Sequence, residues 1–191
     1  GATGTMGQET VKQLLARSPR FKVRVLARPS DKNRALLKKM AHPMLEVVWG
    51  DMADLACVKH CVAGADYVLH IGAMVSPAAD KYPEKTLYTN IGSTLAIIKA
   101  IQEQPNADDI HLVYVGTVAE TGDRQYPVQM GRCGDPINPS IHDYYAISKV
   151  FSEFAVFESG LKHWVSIRQT GQYPTNDGAG EEPIIFHQPP N

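Results

Sequence analysis

Tyr145 and Lys149 stand four residues apart in the stretch Asp143-Tyr144-Tyr145-Ala146-Ile147-Ser148-Lys149. On a helix that spacing places both side chains on one face. A phenol ordinarily loses its proton near pH 10, too high for acid/base work at neutrality. An ammonium ion close by favours the phenolate and lowers that value. Such a pair can give and take a proton. The pattern Y-x-x-x-K is short, however, and recurs on ordinary amphipathic helices with a packed Tyr and a solvated Lys. Its weight depends on where the rest of the chain puts it.

Two further groupings invite a chemical reading. Gly1, Gly4 and Gly7 form G-x-x-G-x-x-G and run into Gln8 to Arg17, where Val11, Leu14 and Leu15 make an apolar helical stripe. A glycine turn at a helix N-terminus lets backbone N–H groups approach a pyrophosphate, and the helix dipole favours the negative charge. No Gly-Lys-Ser/Thr follows, which excludes a P-loop nucleoside triphosphatase. The other grouping, Cys57-x-x-His60-Cys61, has no second ligand cluster to complete a tetrahedral set. No metal is expected, and these cysteines read as small buried hydrophobes.

The elements that must position these groups alternate between strand and helix. Lys22–Ala27 reads as a strand ended by Arg28-Pro29. Ser30 or Asp31 caps a helix to about Met40, and Leu45–Trp49 is a strand closed by Gly50-Asp51. Asp54 caps a helix through Cys61, and Tyr67–Ile71 is a buried-type strand running into Gly72-Ala73. Pro83 opens a long helix to about Gln104. His111–Val115 leads to Gly116-Thr117, the Tyr145 helix ends near Gly160, and Trp164–Arg168 is the last strand. Between Gly122 and Ser140 the chain is rich in Gly and Pro and reads as a substrate-side loop. This alternation predicts an α/β fold with a doubly wound, mostly parallel sheet. Ligands in such sheets bind beyond the carboxyl ends of the strands. Gly1–Gly7, Arg28, Asp51, Gly72 and Thr117 all fall at that edge, and so lend weight to Tyr145 and Lys149. The glycine turn also requires a strand before it, so an apolar strand is expected directly ahead of Gly1, between the strands at Val23 and Val68.

Length and composition fit one domain with a real core: 191 residues, 43% hydrophobic, 20% charged, formal net charge −1. The charge balance gives no reason to expect nucleic acid or an anionic membrane surface as a partner. No apolar run approaches the roughly 20 residues of a membrane span. Three cysteines without a disulfide framework fit a reducing cytoplasm.

In their order along the chain these motifs resemble the extended short-chain dehydrogenase/reductase group, the NAD(P)-dependent epimerase/dehydratase family. The resemblance rests on Gly1-x-x-Gly4-x-x-Gly7, Gly50-Asp51, His70-Ile71-Gly72-Ala73, Asn90-Ile91, Thr117, Tyr145-x-x-x-Lys149 and Ile167-Arg168. It implies an NAD(P)-binding Rossmann-type domain over residues 1–170. Residues 171–191 would then be the start of a substrate-binding region or a disordered tail. The implied cofactor-binding set is Gly1, Thr3, Gly4, Thr5, Met6 and Gly7 at the pyrophosphate, Asp51 and Met52 at the adenine, and Gly72 and Ala73 along the nucleotide. Asn90 is expected near the ribose and nicotinamide, with Tyr145 and Lys149 completing the set. Thr117, Tyr145 and Lys149 are implied to be catalytic: Tyr145 as proton donor, Lys149 keeping the phenol acidic, Thr117 orienting a carbonyl. The partners expected are a small carbonyl or alcohol substrate and at most a second copy of the chain, as a homodimer.

Two departures stand out. Gly116-Thr117 replaces a Ser-rich run, and Glu120-Thr121-Gly122 replaces Val-Tyr-Gly. Dehydratases resembling this family follow the Thr with an Asp-Glu pair, because eliminating water needs its own acid and base. Here Val118-Ala119 follows, and Glu120 is expected to fall one position too late on a strand end where side chains alternate. At the end of the second strand, where NAD-selective sites place a carboxylate, the chain has Arg28 instead. A guanidinium suits a ribose 2′-phosphate, which predicts NADP over NAD, while Lys32 and Arg34 either add local positive charge or form a solvated helix face. A reductase is thus expected first, a sugar-nucleotide epimerase second and a non-catalytic dinucleotide sensor third.

Overall fold

A computed structural model of the chain describes residues 1–122, 131 and 134–169. Most of the expected substrate-side loop, and the segment 171–191, lie outside the described residues. The first βα units form as their local chemistry dictates. In β1 (Val23–Ala27) the alternating Val23, Val25 and Ala27 are buried, the period of two that a pleated strand imposes. Ser30 caps α2 (Asp31–Lys39), its side chain accepting from the Asn33 N–H at 3.2 Å. The chain returns as β2 (Leu45–Trp49), parallel to β1 from Val23↔Leu45 to Ala27↔Trp49. Asp54 then caps α3 (Leu55–Val62) by accepting from the Ala56 N–H at 2.9 Å. The far end of α3 is closed by Arg24, whose Nη1 donates to the carbonyls of His60, Cys61 and Ala63, a cation where the helix dipole wants one.

The second sheet carries the chemistry. β3 (Tyr67–His70), β4 (His111–Thr117) and β5 (His163–Gln169) run parallel in that order. A short helix, α4 (Ala78–Lys81), and the 20-residue α5 (Pro83–Gln102) link β3 to β4, while α6 (Tyr144–Phe157) packs against α5 and precedes β5. Ile97, Ile98 and Ile101 of α5 meet Leu112 and Tyr114 of β4 and Val156 of α6 in the main core. Each such aliphatic side chain contributes about 1.5–3 kcal/mol by leaving water. β4 runs two residues further than the expected His111–Val115, and so ends on Thr117 itself.

β3 departs from its expected character. Tyr67 and Leu69 are exposed and only His70 is buried. The reason is its position: β1 and β3 are not paired with each other, and the two sheets stand as β1-β2 and β3-β4-β5. A cavity of about 600 Å³ lies between them, lined by Val23, Val25, Val58, Val68 and Ile97 among others.

Candidate active site

Parallel strands end at one edge, and that geometry gathers the site. Beyond β1 comes the exposed Arg28, beyond β2 Gly50 and Asp51, and beyond β3 Gly72 and Ala73, while β4 ends on Thr117. The glycine turn lies against this edge. α1 (Thr5–Leu15) begins at Thr5, earlier than the Gln8 start expected from its apolar stripe, so Gly4 is its N-cap and Gly7 lies in its first turn. The turn is closed by the Gly4 N–H donating to the Gly1 carbonyl at 3.0 Å. Side chains are excluded here. A Cβ on Gly1 would fall 2.5 Å from the Gly72 nitrogen, and one on Gly7 would fall 2.0 Å from the Gly1 oxygen. Met52 closes over the same place, its sulfur 2.9 Å from where a Gly72 Cβ would lie. Bare backbone at a helix N-terminus fits a pyrophosphate. Thr3, Thr5 and Met6 belong to the same turn, and Thr3 accepts at its carbonyl from Gln8 Nε2 at 3.1 Å.

Tyr145 and Lys149 sit on α6, whose start is fixed by Asp143 Oδ1 accepting from the Ala146 N–H at 2.8 Å. The Thr117 side chain lies beside the Tyr145 phenol and acts to lower it. Thr117 Oγ1 also accepts from the Ala119 N–H at 3.2 Å, which leaves its own hydrogen to donate. Two hydroxyls from different elements thus converge, as two donors to one substrate oxygen require. Lys149 is buried beside them, its Nζ 4.1 Å over the ring of Tyr114. Burial brings its ammonium down from 10.5 to about 8, with Glu120 and Glu153 acting the other way. The expected acidic phenol is not realised. Burial raises Tyr145, the Thr117 contact opposes that, and Glu120 and Asp143 reinforce it. Burial outweighs the lowering contact, and Lys149, whose Nζ lies over the Tyr114 ring, is not among the groups that shift the phenol.

Asn90 is buried and holds two segments together. Its Nδ2 donates to the Met74 carbonyl at 3.0 Å and to Ser148 Oγ at 2.8 Å, and its Oδ1 accepts from the Met74 N–H at 2.7 Å. It thereby ties the segment after Ala73 to the middle of α6. Ser148 and Ser152 extend the contact by donating to the Tyr145 and Ser148 carbonyls. Arg34 stacks over Trp49 at 4.6 Å. Asp51 accepts from the Ala53 N–H at 2.9 Å and shapes the turn after β2. Cys57 and Cys61 are half-buried free thiols. Cys57 donates to Asp54 at 3.2 Å, and burial pushes Cys61 up to about 11.

Glu120 corrects an expectation. Residues Val118–Thr121 form a 3-10 turn rather than a continuing strand, so side-chain alternation does not apply. Glu120 is fully buried and its Oε1 accepts from the Thr117 N–H at 3.0 Å, with Thr117 as N-cap. Thr-x-x-Glu is the capping-box pattern, a signal present in the sequence.

The description NAD dependent epimerase/dehydratase family matches residues 1–169. The chain belongs to that family. Among relatives of this epimerase/dehydratase chain is the Mycobacterium tuberculosis 3 beta-hydroxysteroid dehydrogenase/Delta 5-->4-isomerase, 25% identical over 190 aligned positions. These cover 93% of this chain and 47% of that protein, so the chain spans about half the length of the curated relatives it matches. The Bordetella bronchiseptica enzyme WbmH in complex with NAD+ superposes with a TM-score of 0.72 at 28% identity, over 88% of this chain and 53% of that one. The dTDP-glucose 4,6-dehydratase DesIV from Streptomyces venezuelae, solved with NAD and TYD, gives 0.71 at 25% identity, over 87% and 53%. The chain thus has the α/β, Rossmann-like fold of that family. Among the described residues no helix is long and apolar enough to cross a membrane, and no group of His, Cys, Asp or Glu is arranged to hold a metal.

Proposed function

We propose that the chain is the dinucleotide-binding part of an NADP-dependent oxidoreductase that reduces a carbonyl of a small molecule or oxidises the matching alcohol. The observation that carries this reading is the Thr117–Tyr145 hydroxyl pair beside the buried Lys149. The glycine turn suits a dinucleotide because Gly1 and Gly7 let bare backbone segments pack against one another at the start of α1, leaving N–H groups for a pyrophosphate. Gly1, Thr3, Gly4, Thr5, Met6 and Gly7 would hold its pyrophosphate, Arg28 its 2′-phosphate and Asp51 with Met52 its adenine. Gly72, Ala73, Asn90, Tyr145 and Lys149 would line the remainder. The bound nicotinamide supplies or accepts the hydride. The chain's own residues do the rest. Thr117 donates a hydrogen bond to the substrate oxygen and sets its direction. Tyr145 gives that oxygen its proton as negative charge develops there. Lys149, still largely protonated at neutral pH, supplies positive field to the same place.

The apolar Val118-Ala119 after Thr117 offers no acid or base for eliminating water, which supports carbonyl–alcohol interconversion over dehydration. The name of the mycobacterial relative, a hydroxysteroid dehydrogenase, points the same way. A second reading, epimerisation with a retained cofactor, is favoured by the NAD+ of the Bordetella complex. The test is to incubate the full-length protein with NADPH and a panel of ketones and aldehydes. Stoichiometric NADPH loss is expected. Isomerised product without net cofactor change would establish the epimerase, and binding without turnover a sensor.

A further inference from the structure

Behind Thr117 lies a buried carboxyl pair that the proton transfer leaves unused. Glu120 comes from the 3-10 turn after β4 and is fully buried, and Glu153 comes from α6, one turn beyond Lys149, at 2% exposure. Arg168 reaches them from β5. Its Nε donates to Glu153 Oε2 at 2.9 Å and stands 3.3 Å from Glu120 Oε2. Gly116 makes the room, since a Cβ there would lie 3.1 Å from Glu120 Oε1 and 3.3 Å from the Arg168 side chain.

One guanidinium contacts both carboxyl groups, and the Lys149 ammonium, itself directed over Tyr114, acts on them without a direct ion pair among the described residues. Were both ionised, two buried carboxylates would share a single contacting cation where burial makes charge costly. Glu120 Oε1 is occupied by the Thr117 N–H, whereas Oε2 accepts no hydrogen bond from an N–H or hydroxyl donor. A proton on Oε2, donated to Glu153, removes the excess charge and gives the idle oxygen a bond. The other groups facing Glu120 are Lys149 and Tyr145 from α6 and Tyr114 from β4. Lys149 favours ionisation, and the two phenols are themselves raised by it.

We propose that Glu120, as a neutral acid sharing its proton with Glu153, is the positioning residue that fixes Thr117 opposite Tyr145, and that its ionisation in alkali releases Thr117. The proposal rests on the role given to Thr117 above. Burial and then Glu153 push the Glu120 carboxyl up to about 8, against the Thr117 N–H and Arg168. Burial alone would raise Glu153 too, but the neighbouring Glu120, Ser166 and the Arg168 guanidinium bonded to it hold it below the usual carboxylate range.

The test uses the full-length protein and three variants. Infrared titration of wild type in D₂O is expected to show the C=O stretch of a carboxylic acid persisting at neutral pH, vanishing in alkali and absent from Glu120→Gln. The amide of that variant keeps both hydrogen bonds but cannot ionise. With any carbonyl substrate that turns over, the alkaline fall in kcat in wild type should be steeper than one proton explains. Lys149 titrates in the same range, so Glu120→Gln should fall with the slope of one group. Glu120→Ala, which leaves the Thr117 N–H without its acceptor, should lose roughly ten- to a hundredfold in kcat with the dinucleotide KM little changed, and Glu120→Gln should restore most of it. Gly116→Ala should weaken the acid band by crowding the pair. Absence of the band in wild type, or identical alkaline slopes for wild type and Glu120→Gln, would overturn the proposal. If no carbonyl is reduced at all, the functional reading fails while the infrared result still decides the shared proton.

Discussion

Lys149→Met is expected to make the fold more stable while removing its chemistry. The side chain of Lys149 is buried at 3% exposure, and burial brings its ammonium from 10.5 to about 8. At about 1.4 kcal/mol for each tenfold change in protonation, that corresponds to roughly 3 kcal/mol spent holding the charge in the native state at neutral pH. The folded value is depressed, so the unfolded chain binds this proton more tightly. The penalty is therefore full below about 8, shrinks as pH rises from there to 10.5, and is gone above that. Methionine has a similar length, is unbranched and carries no charge. It forfeits the contact of the ammonium with Tyr114, about 0.5–2 kcal/mol. A net gain of about 1–3 kcal/mol at neutral pH is thus expected. Urea unfolding of wild type and variant, at neutral pH and again near pH 10.5, measures it. The gain should disappear at the higher pH. A variant less stable than wild type at neutrality, or a gain independent of pH, would refute the reasoning.

The other predictions follow from single contacts. Gly7→Ala would place a Cβ 2.0 Å from the Gly1 oxygen. Overpacking of this kind costs about 1–3 kcal/mol, so dinucleotide affinity, read by nicotinamide fluorescence, should fall about tenfold or more. Burial brings His70 down to about 3 from 6.5, its ring 2.9 Å from Thr94 Oγ1. Its folded value is depressed, so the fold should lose stability as pH falls from 6.5 toward 3, and His70→Met should flatten that part of the pH–stability curve. Arg28→Ala should lower the affinity ratio of NADP over NAD, and an unchanged ratio in paired titrations would remove the basis for the NADP assignment.

What the sequence made legible was local. Ser30, one of two candidates with Asp31, and Asp54 cap the helices as expected, because an N-cap needs only a side-chain oxygen and the backbone a few residues on. The ends of β1 and β2 were legible for a similar reason, being followed by Arg28-Pro29 and Gly50-Asp51, whereas β4 runs through Gly116 to Thr117. Long-range pairings were not. Lys149 turns toward Tyr114, 35 residues earlier, whose hydroxyl donates to the Lys149 carbonyl at 3.2 Å. Nothing in the i, i+4 spacing of Tyr145 and Lys149 encodes that choice. Asn90 and Ser148 meet across 58 residues and look, in sequence, like any polar residues on amphipathic helices. Glu120 falls between the two cases. Its cap on Thr117 was readable as Thr-x-x-Glu, whereas its burial depends on Arg168 and Glu153 arriving from other elements. The four-residue α4 after Pro77 is too short to leave a periodic signal.

The most direct test of the central claim is a hydride-transfer measurement on full-length wild type and Tyr145→Phe. NADPH deuterated at the transferring position would be mixed with a reducible ketone or aldehyde, and the product analysed by mass spectrometry. Wild type should carry deuterium into the alcohol carbon with matching NADPH loss. Tyr145→Phe should bind NADPH with unaltered fluorescence response yet transfer deuterium about 10²–10⁴ times more slowly, the usual contribution of a positioned proton donor. Equal transfer rates for the two proteins would contradict the assignment of Tyr145 as the acid.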